Sequence, residues 1–385
     1  MKKSKQLPFR LLRLIVFSTT LGAIYSFSTE LVLAQTKPNL SAPVIMAEGS
    51  AEDLLKHGER FYMMGRYQDA LTVFDKAIQI RPDYADAWSY RGVALGNLNR
   101  YQEAITSFDN AIQSKSDYAD AWFYRGVALG NLNRYQEAIT SFDNAIQSKS
   151  DYANAWFFRG AALGSLNRYQ EAVTSYDNAV RIKSDYTQAW LGRGAALSNL
   201  YRYQEAVTSY DKVIQMTPLH SGAWLGRGIA LSLLNRYQEA IDSYGRAIRI
   251  GALSHPEVPP YRRGLALVKL QRYQEALASF DQALQSRSDL ANAWHGEGIA
   301  LFELKKYGEA LTAFDKAIQG SFLPLGIDSM KDTLGIWDAW YGKGLTLVKL
   351  KKYQEALAAF NQAIELKSGF TAAINARQQV QKLLN

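Results

Sequence analysis

The stretch YRGVALGNLNRYQEAITSFDNAIQSKSDYA runs from Tyr90 to Ala119 and occurs again, letter for letter, from Tyr124 to Ala153. The two copies start 34 residues apart, and comparison of the chain with itself extends this period over most of its length. Such a period is typical of a stacked array in which no unit can bury its apolar face alone. Because a catalytic centre needs groups that converge on one point, the repetition favours an extended surface instead.

Counted in one phase, the sequence predicts nine units, flanked by a leader (1–34), a linker (35–50) and a C-terminal capping helix (371–385). Two extra residues lengthen the sixth unit and twelve lengthen the eighth. The units are 51–84, 85–118, 119–152, 153–186, 187–220, 221–256, 257–290, 291–336 with the insertion, and 337–370.

Each unit is predicted to form two helices, since apolar and small residues recur at helical spacing in two stretches. The small ones leave room for close approach of the helices. In the second unit the stripes are Trp88, Gly92 and Leu95, then Ala104, Phe108, Ala111 and Ile112.

The turn inside the second unit has the residue types of a capping box, with Asn99 as the cap of the second helix and Gln102 reaching back to it. Aspartates before the first helix of the following unit are candidate caps of that helix. The turn recurs at Asn133/Gln136, Asn167/Gln170 and Asn235/Gln238, and the aspartates are Asp117, Asp151 and Asp185.

The spaced pattern W-x2-x-G-x2-L…A-x3-F…A resembles the tetratricopeptide repeat (TPR). The matching residues are Trp88, Gly92, Ala104, Phe108 and Ala111, then Trp122, Gly126, Ala138, Phe142 and Ala145, and Trp190, Gly194, Ala206, Tyr210 and Val213. The resemblance implies an all-α fold, a right-handed superhelical solenoid of nine helix-turn-helix units with a C-terminal capping helix. The proline that usually ends a unit is present as Pro82 but is replaced by Ser116 in the next unit, a change expected to loosen that turn.

Arginine stands before the packing glycine in six units, where the TPR pattern has an apolar residue. One interpretation is a structural ladder in which each arginine pairs with an acid of a second helix, such as Asp109 or Asp143. The other is binding of an anion or a partner. The arginines are Arg91, Arg125, Arg159, Arg193, Arg227 and Arg263.

The first residues have the pattern of a secretory signal peptide. Five basic residues precede an uncharged run from Leu14 to Thr29, and Val32, Leu33 and Ala34 offer a cleavage site. The run of 16 residues is shorter than the roughly 20 that cross a bilayer. We therefore expect an exported protein of the periplasm, a lumen or the extracellular space, with an uncleaved membrane anchor as the alternative.

Composition gives little support for nucleic-acid binding or catalysis. The leader carries a net +4 of the total +8, which leaves only +4 beyond Ala34, and no basic run with interleaved aromatics occurs. The chain has no cysteine and no phosphate loop or nucleophile motif. We therefore predict no catalytic residue, no cofactor, no metal site and no nucleic-acid partner. The four histidines, His57, His220, His255 and His295, lack metal-ligand spacing.

The second and third units differ at one position only, where Ser89 becomes Phe123. This position lies beside the core stripe of the first helix, and the TPR resemblance implies that such residues line a concave groove. Aromatic residues there favour a peptide with apolar side chains. The predicted partner-binding residues are Ser89, Tyr90, Phe123, Tyr124, Phe157, Phe158, Leu191, Leu225, Tyr261 and Tyr341.

Two features of this stripe stay open on the sequence alone. Tyr90, Tyr124 and Phe158 could instead pack against the adjacent unit. From Gly192 onward the same position holds glycine in several units, which predicts a wider groove toward the C-terminus.

The preferred function is a non-enzymatic scaffold that binds a protein or peptide segment in the groove and assembles an envelope or membrane-associated complex. The alternatives are a substrate-recruiting partner of a separate enzyme, such as a transferase, and an array that associates with itself. The insertion Ser321 to Ile336 is a surface loop or a partner-docking projection.

Overall fold

The computed structural model describes residues 49–251, 253–322 and 335–384. The predicted leader, nearly all of the linker and the centre of the insertion lie outside these ranges. Within them the chain forms nineteen helices and no strand, apart from one isolated bridge between Leu290 and Ser321. The predicted all-α class is therefore confirmed. The helices are α1 Ala51–Met63, α2 Tyr67–Ile80, α3 Ala85–Asn97, α4 Tyr101–Ser114, α5 Ala119–Asn131, α6 Tyr135–Ser148, α7 Ala153–Ser165, α8 Tyr169–Ile182, α9 Thr187–Asn199, α10 Tyr203–Met216, α11 Ser221–Leu233, α12 Tyr237–Ile250, α13 Val258–Lys269, α14 Tyr273–Ser286, α15 Ala291–Glu303, α16 Tyr307–Gln319, α17 Ile336–Lys349, α18 Tyr353–Leu366 and α19 Thr371–Leu384.

The described chain divides into two compact units, one ending at Leu197 and the other starting at Ser198, so that the boundary falls inside α9. In each unit, consecutive helices pack as antiparallel helix-turn-helix pairs, and the second helix of a pair also packs against the first helix of the next pair. A nearest-neighbour arrangement of this kind is what the 34-residue period predicts.

Close helix packing depends on glycine opposite an aromatic ring. A Cβ added to Gly92 in α3 would lie 2.6 Å from the ring of Phe108 in α4, and one added to Gly126 would lie 2.6 Å from Phe142. Both rings are almost fully buried. The predicted packing role of these glycines is therefore confirmed.

The capping-box prediction for the asparagine-containing turns is wrong. Asn99 has a φ of 61° and follows the end of α3, whereas Arg100 precedes α4 and makes no side-chain cap. The turn needs a residue in the left-handed conformation, which asparagine tolerates better than most residues and which Gly65 supplies in the first pair at a φ of 76°. The Asn99 side chain accepts a hydrogen bond from the Tyr101 hydroxyl instead, at 2.8 Å.

The predicted aspartate caps are also absent at α5 and α7, where Tyr118 and Tyr152 precede the helix without a side-chain cap. The serine that replaces the usual proline keeps the same contact with the following helix. Trp122 Nε1 donates to the backbone oxygen of Ser116 at 2.9 Å, as Trp88 Nε1 does to Pro82 at 2.8 Å. Among the described residues, no helix is long and apolar enough to cross a membrane.

The C-terminal helix α19 covers apolar surface of the last helix pair. Val380 of α19 is buried in a cluster with Leu347 and Phe360. Before the insertion, α16 ends at Gln319 and is followed by Gly320. Ser321 donates its backbone N–H to the oxygen of Asp289 at 2.8 Å.

Candidate functional site

The ten predicted partner-binding residues differ widely in exposure. Six are buried and offer little surface to a partner: Ser89, Phe123, Phe158, Leu191, Leu225 and Tyr261. Four are partly exposed: Tyr90, Tyr124, Phe157 and Tyr341.

Phe123 is buried because it lies among rings from three helices and a turn. Its ring centroid is 5.0 Å from Tyr152, 5.5 Å from Phe158 and 5.1 Å from Tyr124. Phe157, one pair later, has the same relationship with Tyr186 at 5.0 Å. The residue at this position therefore packs against the tyrosine that closes its own 34-residue unit.

The residue that follows this position, Tyr90 or Tyr124, packs against the preceding helix pair. The ring of Tyr90 stacks on Phe74 with centroids 5.8 Å apart, and Tyr124 stacks on Phe108 at 6.2 Å. The packing role that the sequence left open is thus present in the structure for both tyrosines. Because each side chain is also partly exposed, packing and partner contact do not exclude one another.

The predicted widening at the later glycines is wrong. A Cβ at Gly192 would lie 2.7 Å from the Tyr176 ring, and one at Gly226 would lie 2.6 Å from the Tyr210 ring. The ring of the preceding pair fills the space that a larger residue would take. The glycines therefore mark close packing and open no additional groove.

Two carboxylates lie near the partly exposed side chains of Tyr90 and Tyr124 in the first compact unit. The Tyr118 hydroxyl donates to Asp86 Oδ1 at 2.8 Å, and the Tyr152 hydroxyl donates to Asp120 Oδ1 at 2.7 Å. With Tyr90 and Tyr124 these residues form a surface that we call the aromatic–acid row, and all six are at least partly exposed. Its members are Asp86, Tyr90, Tyr118, Asp120, Tyr124 and Tyr152.

Sequence reasoning missed four members of this row, the two acids and the two tyrosines bonded to them. The signal was available, since Asp86 and Asp120 are 34 residues apart and so are Tyr118 and Tyr152. Each hydrogen bond joins residues 32 positions apart, on a helix and on the turn that follows the next helix. Inspection of a single helix face therefore does not show the pair.

Burial keeps the tyrosines of the row neutral by raising their pKa values. Burial raises the pKa of Tyr118 far above its ordinary value, and the nearby Asp86 raises it further. Burial likewise raises the pKa of Tyr90, with a further contribution from Glu59. At neutral pH the row presents hydroxyl groups beside carboxylates, an arrangement suited to a cationic or N–H-bearing partner.

The arginines before the packing glycines form an Arg–Asp ladder, as the structural interpretation predicted. Arg125 Nε donates to Asp109 Oδ1 at 2.7 Å, and Arg125 Nη1 donates to Ser141 Oγ at 2.8 Å. In every intact rung the Nε–Oδ1 distance is 2.6 or 2.7 Å. The first compact unit contains Arg91–Asp75, Arg125–Asp109, Arg159–Asp143 and Arg193–Asp177, and the second compact unit contains Arg227–Asp211.

The ladder is interrupted in the second unit. Arg263 has Gly245 in the place of the aspartate, and its Nε is buried without a hydrogen-bond partner. At the next rung Glu297 replaces the arginine, so that burial and the nearby Asp281 raise the pKa of Glu297 to about 7. Ion pairing resumes with Lys343, whose Nζ lies 2.7 Å from Asp315 Oδ1.

No cluster of His, Asp and Glu suited to a metal ion occurs in the part of the chain that the structure describes. His295 is buried against Phe314, with ring centroids 5.8 Å apart, and burial lowers its pKa to about 4. His220 accepts a hydrogen bond from the backbone N–H of Ala223 at 3.1 Å. The contacts of both histidines are therefore with the protein's own core or backbone.

Several solved structures are similar to the chain in fold. YrrB, described as a TPR protein with an unusual peptide-binding site, is 21% identical over 52% of this chain and 97% of its own, with a TM-score of 0.44. A tetratricopeptide repeat protein from Parabacteroides merdae is 15% identical over 65% of this chain and 98% of its own, with a TM-score of 0.47. At these identities the likeness concerns the fold alone. Comparison with curated proteins finds no match.

Family models cover most of the repeated region. A model described as TPR repeat matches residues 58–99. Models described as tetratricopeptide repeat match residues 92–153, 125–187, 191–255, 261–324 and 337–370. Because these matches span more than half of the sequence, the chain belongs to the tetratricopeptide repeat family.

Proposed function

We propose that the chain is a non-enzymatic scaffold that binds a peptide segment of a partner protein at the aromatic–acid row. Proteins with this repeat generally mediate protein–protein interactions, and the fold is typically an interaction scaffold. The observation that carries the proposal is the recurrence of a partly exposed tyrosine beside a hydrogen-bonded aspartate on consecutive helix pairs.

The chemistry of the row defines the segment that it fits. Tyr90 and Tyr124 offer ring faces for apolar contact, held in place by stacking on Phe74 and Phe108. Asp86 and Asp120 contribute carboxylate oxygens that accept hydrogen bonds. A segment with apolar side chains and a lysine or arginine satisfies both features. The buried residues beside the row, Phe123 above all, hold the tyrosines in position.

We further propose that the protein acts after export and helps to assemble a complex at an envelope or internal membrane. The support is the basic and apolar leader, which lies outside the described residues. Fractionation of cells that express the full-length protein, with N-terminal sequencing, tests this point. A mature N-terminus near Gln35 in an exported fraction is the expected result, and an intact N-terminus in the cytosol contradicts it.

Peptide selection tests the binding proposal without knowledge of the partner. A displayed library of random twelve-residue peptides is selected on the immobilised protein, and a variant with Asp86→Asn and Asp120→Asn serves as the counter-target. We expect enrichment of peptides that combine apolar and basic residues and are not retained by the variant. Enrichment of acidic peptides, or equal retention by both proteins, contradicts the proposal.

A further inference from the structure

The interruption of the Arg–Asp ladder lies wholly in the second compact unit, and it is independent of the aromatic–acid row in the first compact unit. In the intact rung before it, Asp211 precedes Arg227 by 16 residues. Gly245 of α12 has the equivalent place before Arg263 of α13, at 18 residues because the sixth repeat is two residues longer. Arg263 therefore lacks the aspartate that pairs with the arginine in the intact rungs, although α12, the helix at that position, is present.

Among the residues that the structure describes, no carboxylate takes the place of the missing aspartate at Arg263. Its Nε is buried and makes no hydrogen bond. Glu275 interacts with Arg263 electrostatically, but its carboxylate forms its ion pair with Arg272. In intact rungs the arginine also donates to a serine, as Arg227 Nη1 does to Ser243 Oγ at 2.7 Å. Leaving a buried, charged donor without a partner is unfavourable, so an external anion would gain a strong hydrogen bond there.

The place of the missing carboxylate is open to solvent. The aspartate side chains of the intact rungs are 48–51% exposed, whereas the arginines are 17–23% exposed. The aspartate is therefore the outer member of each rung. A Cβ added to Gly245 would meet only Arg249 Nη1, at 4.0 Å. A group approaching from outside can reach this place and finds Arg249 there as a second cation.

We propose that Arg263 and Arg249 bind the carboxylate of an aspartate or glutamate side chain from a partner protein, in the place that the ladder aspartate has at the intact rungs. A polyanion such as a nucleic acid suits the surface less well. It would continue toward the next rung, where the ladder arginine is absent and the carboxylate of Asp281 lies near Glu297. A single acidic side chain avoids that repulsion.

The test uses the full-length protein and the ¹⁵N-resolved Nε–H signal of Arg263, assigned by its loss in Arg263→Lys. The probe is an N-acetylated, amidated six-residue peptide with a single aspartate, compared with the same peptide carrying asparagine. Gly245→Asp restores the internal carboxylate, and Gly245→Ala adds the Cβ without the charge. Both variants replace a helix-interior glycine whose Cβ has room, so both are expected to fold.

The aspartate peptide should shift the Arg263 signal saturably in the wild type and in Gly245→Ala, with the asparagine peptide at least tenfold weaker. In Gly245→Asp the signal should already be displaced and should not respond. The proposal is overturned if the two peptides act alike, or if Gly245→Asp responds as Gly245→Ala does. It is also overturned if inorganic phosphate or a single-stranded oligonucleotide saturates the signal and the aspartate peptide does not.

Discussion

The ring of Phe123 lies 5.0 Å from the ring of Tyr152, and this contact fixes one end of the aromatic–acid row. The preceding repeat has Ser89 at the position of Phe123 and is otherwise identical over the 34 positions. Tyr118 is its equivalent of Tyr152. Two versions of one local structure, with and without the large ring, are therefore present in the same chain.

We expect Phe123→Ser to lower the free energy of unfolding by roughly 3 kcal/mol, because it removes a buried ring that contacts several others. Ser89→Phe is the matched control. It recreates the arrangement of the next repeat and should be neutral or stabilising. Chemical denaturation followed by circular dichroism measures both changes. Equal destabilisation by the two substitutions contradicts the equivalence of the repeats.

Gly126→Ala tests the close approach of helix and ring. The added Cβ would lie 2.6 Å from the Phe142 ring, so we expect a loss of about 1–3 kcal/mol from overpacking. Gly164→Ala, on α7, adds the same methyl group where nothing lies within 4 Å. It should leave the thermal unfolding midpoint unchanged or raise it. A similar effect of both substitutions would show that backbone propensity, and not packing, determines the outcome.

Asn133 tests the left-handed turn between α5 and α6. Its φ is 60°, a conformation that costs a β-branched residue about 1–2 kcal/mol. Asn133→Val should lower stability by about that amount, whereas Asn133→Gly should change it by a few tenths of a kcal/mol at most. Denaturation midpoints measure both. If valine is tolerated as well as glycine, the turn does not impose this conformation.

The sequence predicts features that recur at fixed positions of the 34-residue period. It fails where one residue type suits two local structures, or where a side chain of another repeat fills a space. The helix pairs and the Arg–Asp ladder could be predicted, because the 34-residue period places Arg125 and Asp109 at fixed positions in neighbouring units. The turn at Asn99 was assigned wrongly because asparagine favours both a helix start and the left-handed conformation. The widening at Gly192 was wrong because the Tyr176 ring that fills the space comes from another repeat.

Glu297 predicts a pH dependence of stability. Burial, then Asp281, raise its pKa from an ordinary value of 4.5 to about 7, while Lys316 opposes and Glu309 adds to the shift. Between these pH values the unfolded chain loses the proton that the folded chain keeps. The free energy of unfolding should therefore fall as pH rises from about 4.5 to 7 and show no further loss from this group above that range.

Glu297→Gln should remove this part of the pH dependence. The stability of the variant relative to the wild type should therefore be greater at pH 8 than at pH 5. The control is Glu303→Gln, an exposed acid on the same helix. Urea midpoints at the two pH values provide the comparison. A pH profile that is identical in wild type and Glu297→Gln would show that Glu297 is ionised without penalty.

The central claim, that the aromatic–acid row binds a partner segment, is tested most directly by fluorescence anisotropy with a labelled peptide from the selection. Asp86→Asn with Asp120→Asn keeps an acceptor for Tyr118 and Tyr152 but removes two charges. Glu103→Gln with Glu137→Gln removes two exposed charges from neighbouring helices, where surface ion pairs contribute little. We predict that the first variant raises the Kd at least tenfold and the second less than twofold. An unchanged Kd in the first variant, or equal loss in both, would contradict the account.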